Sequence, residues 1–142
     1  MKQTKTIFLI SKIREKANKF ILADLAQHHG ITKLAPSHGD ILACLYQRER
    51  VTMKEISDSI HRTKPTVTVL VNKLTELGLV KKFQAAEDSR VIYVELTEQG
   101  KALQKLFEKI SADLVQKVFQ NMEQEEMKKL EISLQKILDN LG

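Results

Sequence analysis

The chain has 142 residues, 42% of them hydrophobic and 29% charged, which fits one globular domain and is too short for two independent cores. No apolar run reaches the roughly 18 residues that a membrane span needs, and basic residues stand where a signal-peptide cleavage site would follow the N-terminal apolar run. The single cysteine, Cys44, excludes an intrachain disulfide framework. We therefore expect a soluble cytoplasmic protein that does not associate with membranes.

The net charge of +5 favours a polyanionic partner, and the distribution of charge is more informative than its size. Residues 61–90 contain six lysines and arginines against three acidic residues, and residues 1–30 contain six against two. Residues 121–142 contain three against five. Positive charge therefore gathers at the N-terminus and in one central segment, and the C-terminal end is acidic.

The first predicted element is a long amphipathic helix from about Thr4 to His28, where apolar residues recur at steps of three and four. Gly30 is suited to end it. Pro36 begins a shorter helix that continues to Tyr46, because proline is tolerated in the first helical turn, where its missing N–H has no partner.

Two helices joined by a tight turn are predicted next. Thr52 can cap the amide of Glu55 while Glu55 reaches back, which predicts a short helix. A second helix starts within residues 63–65 and ends at Gly78, the residue best able to adopt the left-handed conformation. Lys64 is a candidate for its N-cap, since the residue before a proline avoids the helical region.

The segments Leu79–Gln84 and Val91–Leu96 are short and contain β-branched and aromatic residues, which predicts a hairpin connected by Ala85–Arg90. Apolar stripes then predict two long helices, over about Leu103–Met122 and Met127–Leu141. The predicted fold class is mainly α with a small β-hairpin wing: a winged helix-turn-helix with N- and C-terminal dimerisation helices.

Helix, turn, helix and wing in this order is the layout in which the second helix enters the major groove of DNA. Beside its apolar stripe, that helix carries a small, polar and basic set: Thr63, Lys64, Thr66, Thr68, Asn72 and Lys73. Lysine neutralises phosphate, and threonine offers a hydroxyl and a methyl group to base edges. The alternative is a solvated helix face whose threonines serve only as caps.

The predicted wing brings Lys81, Lys82 and Arg90 beside this helix, where an arginine at the tip can enter the minor groove. Asp88 can fix the direction of Arg90 through a charge-assisted hydrogen bond. The alternative is an ordinary solvated turn whose exposed ion pair contributes little.

These segments resemble the MarR family of bacterial winged-helix transcriptional regulators. The resemblance is carried by Asp88-Ser89-Arg90, by Leu96-Thr97-Glu98-Gln99-Gly100, and by Leu74-Thr-Glu-Leu-Gly78-Leu-Val80. It implies a DNA-binding surface on the recognition helix and the wing, made of Thr63, Lys64, Pro65, Thr66, Thr68, Lys73, Lys81, Lys82, Asp88, Ser89 and Arg90. The chain departs from the family at Pro65, which removes an amide donor, and at Ala35, where many members have a capping threonine.

The resemblance also implies a single domain over residues 1–142, with dimerisation helices at 1–30 and 98–142 around a winged-helix DNA-binding lobe at 36–97. The apolar stripes of the long helices exceed what a small winged-helix core needs, which independently predicts a homodimer. Such a dimer would bind a pseudo-palindromic double-stranded DNA operator. A monomer whose helices cover its own core is the alternative.

By resemblance we expect a repressor that a small-molecule effector releases from DNA. The candidate effector contacts are His28, His29, His38 and Asp40, which flank the turn between the first two helices; the plainer interpretation is that they are polar residues at helix ends. Cys44, among apolar neighbours, is expected to be a buried hydrophobe and not a peroxide sensor.

The residue pattern contains no phosphate-binding glycine loop, no metal-ligand spacing and no nucleophile with a base, so we expect no enzyme, no catalytic residue, no metal site and no cofactor. Two alternative functions remain open. One is a metal-responsive regulator of the same fold, and the other is a winged helix used for protein–protein contact.

Overall fold

The computed structural model describes residues 4–142. The helices are α1 (Thr6–His29), α2 (Pro36–Gln47), α3 (Met53–Ile60), α4 (Lys64–Glu76), α5 (Glu98–Val118) and α6 (Gln124–Asn140), and the strands are β1 (Val51–Thr52), β2 (Val80–Gln84) and β3 (Ile92–Leu96). A mostly helical chain with one small antiparallel sheet confirms the predicted fold class. Over residues 4–142, no helix combines the length and apolar content needed to cross a membrane.

The helix-turn-helix begins at the predicted cap, with one difference. The Thr52 hydroxyl accepts a hydrogen bond from the Glu55 amide at 3.0 Å, as the sequence predicts. The Glu55 carboxylate does not reach back to complete a capping box, because it pairs with the Arg48 guanidinium. The cap of α4 also differs: Thr63 occupies the N-cap position and Lys64 is the first helical residue.

Left-handed glycines end two of the helices, as predicted. Gly30 follows α1 with φ of 66°, and Gly78 follows α4 with φ of 75°. The amide of Leu79, just past Gly78, donates to the carbonyl of Leu74 at 3.0 Å, so the chain turns sharply from α4 into the wing.

The sheet has the strand order β1-β3-β2. Strands β2 and β3 are the predicted hairpin, paired in register from Val80 with Leu96 to Gln84 with Ile92. The sequence pattern does not predict β1, whose Val51 pairs with Val94 of β3. A strand of two residues has no periodicity, and only its distant partner in β3 makes it a strand.

The core lies between the helix-turn-helix and the sheet. It is built from fully buried apolar side chains of α2, α3, α4 and β3, among them Ile41, Leu42, Ile56, Val67, Val71, Leu74 and Val94. Helix α1 packs on α5. Helix α6 has no buried residue, so the C-terminal helix contributes no buried side chain to this core.

Candidate nucleic-acid interface

Helix α4 presents its predicted polar face to solvent. Val67, Val71 and Leu74 are buried against the core, which leaves an exposed set on the other side: Thr63, Lys64, Pro65, Thr66, Thr68 and Asn72. Lys73 is only half-exposed and lies 3.8 Å from the Glu76 carboxylate. The accessible part of this face is therefore its N-terminal half.

The threonines at the start of α4 are held in place by short-range hydrogen bonds. The Thr63 hydroxyl donates to the Thr66 hydroxyl at 3.0 Å, and the Thr68 hydroxyl donates to the Lys64 carbonyl at 3.0 Å. Pro65 contributes no amide in this turn. The positive end of the helix dipole, together with Lys64, nevertheless makes this terminus attractive to an anion such as a phosphate.

The tip of the wing is organised around Asp88. Its carboxylate accepts hydrogen bonds from Arg90 Nε at 3.1 Å, from Arg90 Nη2 at 3.2 Å and from the Arg90 amide at 3.0 Å. These bonds hold the pKa of the Asp88 carboxyl below its usual value. The predicted contact between the two side chains is thus present, and it directs an arginine whose side chain is 89% exposed. Ser89 lies exposed between them.

The two lysines of the wing face opposite sides of the sheet, and this corrects the prediction that both stand beside α4. Successive side chains of a strand alternate between faces. Lys82 faces α4, where its Nζ donates to Asn72 Oδ1 at 2.6 Å. Lys81 lies on the opposite face of the sheet, and its Nζ is 3.0 Å from the carboxylate of Glu95, its cross-strand partner.

An exposed apolar residue, Val69, belongs to the same surface, and the sequence pattern missed it. Its side chain is 69% exposed on α4, one position after Thr68. The helical period places Val69 off the buried stripe of Val67, Val71 and Leu74, but a search for polar contact residues passes over an apolar side chain. An exposed isopropyl group is chemically suited to contact the methyl group of a thymine.

A cavity of about 560 Å³ lies between α1, α2 and α5, away from this surface. Its walls are largely apolar and include Ile21, Leu22, Leu25, Leu34, Phe107 and Ile110. Polar groups of Asp40, Tyr46 and Glu108 also line it. Burial, and then the negative charge of Glu108, raise the pKa of Tyr46 to about 12, so its phenol stays protonated.

The four predicted effector contacts are not brought together. Asp40 lines the cavity, whereas His28 and His29 are exposed at the end of α1 and do not line it. His38 is buried and acts as a cap: its Nδ1 accepts a hydrogen bond from the Ala35 amide at 2.9 Å. This bond supplies at Ala35 the N-terminal interaction that a reciprocal capping box would provide, although the cap residue has no polar side chain.

Neither the histidines nor the cysteine form a larger polar cluster. Within residues 4–142, no group of three or more histidine, cysteine, aspartate or glutamate side chains is arranged to hold a metal ion. Cys44 is half-buried, more accessible than predicted, and its Sγ lies 3.2 Å from the Ser59 hydroxyl.

Comparison with known proteins agrees with this geometry. Residues 34–92 match the sequence profile of the MarR family. The HTH-type transcriptional regulator YhjH of Bacillus subtilis (strain 168) is 26% identical over 80 residues, which cover 56% of this chain and 46% of that protein. The alignment thus spans about half the length of this relative.

Two solved structures extend the likeness to nearly the whole chain. The S. aureus MepR–DNA complex superposes with a TM-score of 0.87 at 24% identity, over 98% of this chain and 99% of that one. A MarR mutant from E. coli, complexed with operator DNA, superposes with a TM-score of 0.82 at 20% identity, over 97% and 99%. At these identities the likeness establishes the fold, including the terminal helices. Members of the matched family are transcriptional regulators and not enzymes.

Proposed function

We propose that the chain, whose residues 34–92 match the MarR family profile and form a winged helix, is a sequence-specific transcriptional regulator that binds double-stranded DNA. The observation that carries the proposal is the grouping of three cations around the exposed polar face of α4. Lys64 begins that helix, Lys82 reaches over it to Asn72, and Arg90 extends from the wing tip. A recognition helix for the major groove, an arginine for the minor groove and lysines for phosphates together suit DNA binding. This activity requires the compartment that holds DNA, which we propose is the cytoplasm.

We propose that the regulator is a homodimer. In the single chain Ile7, Phe8 and Leu138 remain 67%, 60% and 64% exposed, and α6 buries nothing. Burying apolar surface contributes about 25 cal/mol per Å², so helices of this kind are stable when a partner covers them. A second copy covers the same stripe on both chains through a twofold axis, and it offers two α4 helices to half-sites about 34 Å apart on a pseudo-palindromic operator.

We further propose that the regulator represses transcription and that a small-molecule effector releases it. A dimer seated on a promoter excludes other proteins from the same DNA. The cavity lies where α1 and α5, the proposed dimer helices, meet α2 of the DNA-binding lobe. A molecule bound there would change the orientation of each DNA-binding lobe relative to the dimer helices. The distance between the two α4 helices of the dimer would then change.

Selection of bound duplexes from a random pool tests the DNA-binding proposal. The full chain should enrich an inverted repeat, and its affinity should fall as salt rises with a log–log slope of about −0.9 for each phosphate contact. A protein–protein interaction module, the alternative use of this fold, would enrich no sequence. Failure to enrich a motif at about 100 mM salt would contradict the proposal.

Sedimentation tests the dimer separately from DNA binding. At micromolar concentration the parent should sediment at twice the chain mass of 16.2 kDa. Leu138→Asp, on α6, should shift the protein toward the monomer because it buries an unpaired carboxylate in the interface. Val69→Asp is the matched control: Val69 is equally exposed but lies on α4, so this variant should stay dimeric. A parent that sediments as a monomer contradicts the proposal.

A further inference from the structure

The cavity between α1, α2 and α5 combines an apolar interior with an acidic edge. Its charged lining side chains are Asp40 from α2 and Glu108 from α5, and no lysine, arginine or histidine is among the described residues that line it. Its volume of about 560 Å³ lies in the range of drug-sized ligand sites. The negative charge at the edge therefore favours a cationic ligand over an anionic one.

The two carboxylates differ in how far other groups neutralise them. Asp40 lies 3.7 Å from the Arg14 guanidinium, a loose and exposed contact. Glu108 accepts a hydrogen bond from the Gln104 side chain at 3.1 Å, and within residues 4–142 no basic nitrogen lies within 4 Å of its carboxylate. The charge of Glu108 is strong enough at Tyr46 to contribute to the raised pKa of that phenol.

Aromatic groups complete the wall next to Glu108. The rings of Tyr46 and Phe107 lie 6.3 Å apart, tilted at 46°, and both line the cavity. The face of an aromatic ring carries the negative part of the ring quadrupole, so it attracts a cation and does not attract an anion. Apolar walls, two aromatic rings and an uncompensated carboxylate are together the chemistry that binds an organic cation.

We propose that this cavity binds a hydrophobic organic cation, such as a phosphonium or quaternary ammonium compound, with Glu108 as the principal charge contact and Tyr46 and Phe107 as the aromatic contacts. The inference rests on the proposed function only in identifying this molecule as the effector. The binding itself requires no DNA. These proposed contacts differ from His28, His29 and His38, the histidines that the sequence indicated as candidate effector contacts.

A pair of ions with the same shape and opposite charge provides the test. Tetraphenylphosphonium and tetraphenylborate are titrated separately into the full chain without DNA, in a calorimeter. The cation should bind at least about tenfold more tightly than the anion. Glu108→Gln should weaken cation binding by about threefold to fivefold, since an exposed ion pair contributes modestly. It should therefore also reduce the ratio between the affinities for the cation and for the anion.

Asp113→Asn is the matched control, because Asp113 is exposed on the same helix and does not line the cavity; it should bind the cation as the parent does. Equal or tighter binding of the anion, no binding of either ion, or an unchanged Glu108→Gln variant would each overturn the proposal. DNA release is measured afterwards with the same cation. Binding without release would contradict the effector role and leave the assignment of the site intact.

Discussion

Gly100, in the first turn of α5, packs closely against Leu79 and Leu96 of the wing. We predict that Gly100→Ala destabilises the protein severely. A methyl group on Gly100 would come within 2.1 Å of the Leu79 carbonyl oxygen and 3.0 Å of a Leu96 methyl group. The first contact is with backbone, so no side-chain rotation relieves it, and α5 must move away from the end of α4. Overpacking typically lowers the free energy of unfolding by about 1–3 kcal/mol, and a clash with backbone lies at the upper end of this range.

Urea denaturation followed by circular dichroism, at one fixed protein concentration, measures this loss. Gly39→Ala is the control, because a methyl group there meets no atom within 4 Å and Gly39 lies within α2. Replacing a helical glycine by alanine should leave stability unchanged or raise it by up to about 1 kcal/mol. The reasoning is refuted if Gly100→Ala unfolds within about 0.5 kcal/mol of the parent.

Two further predictions concern His38 and Val69. Burial, and then the positive charge of Lys73, lower the pKa of His38, so its contribution to stability is complete above about pH 6.5 and is lost as the pH falls through the lowered pKa. When the pH is lowered from about 7.5 to about 5.5, the free energy of unfolding measured with urea should therefore fall more for the parent than for His38→Gln. On a selected operator, replacing one thymine by uracil should weaken parent binding by about fourfold in fluorescence anisotropy, and Val69→Ala should remove that difference.

Most of the fold is predictable because its determinants are local. Helix positions follow from apolar periodicity, and their ends follow from single residues such as Thr52, Gly30 and Gly78, whose conformational preferences do not depend on the rest of the chain. Strand β1 is one exception, since Val51 becomes a strand residue only by pairing with Val94. The partner of Glu55 is a second exception, because it is Arg48, which follows the end of α2 seven residues earlier in the chain.

The candidate site is predictable where neighbours in sequence interact, and less so where the fold decides which way a side chain faces. The Asp88–Arg90 contact joins residues two positions apart, and the sequence predicts it. The opposite orientations of Lys81 and Lys82 depend on which face of the hairpin meets α4, and this follows from the tertiary packing. The cavity brings α1, α2 and α5 together, so no single segment indicates Glu108 as one of its lining residues.

The most direct test of DNA recognition by the wing and α4 compares three single substitutions on a selected operator, in about 150 mM salt. Arg90→Ala and Lys82→Ala should each weaken binding by about tenfold, and Lys82→Ala should also reduce the salt slope by about 1. Lys81→Ala removes the same charge from the opposite face of the same strand, where Lys81 pairs with Glu95, and this variant should bind within about twofold of the parent. Equal affinity of the parent, Arg90→Ala and Lys82→Ala would contradict the proposed interface.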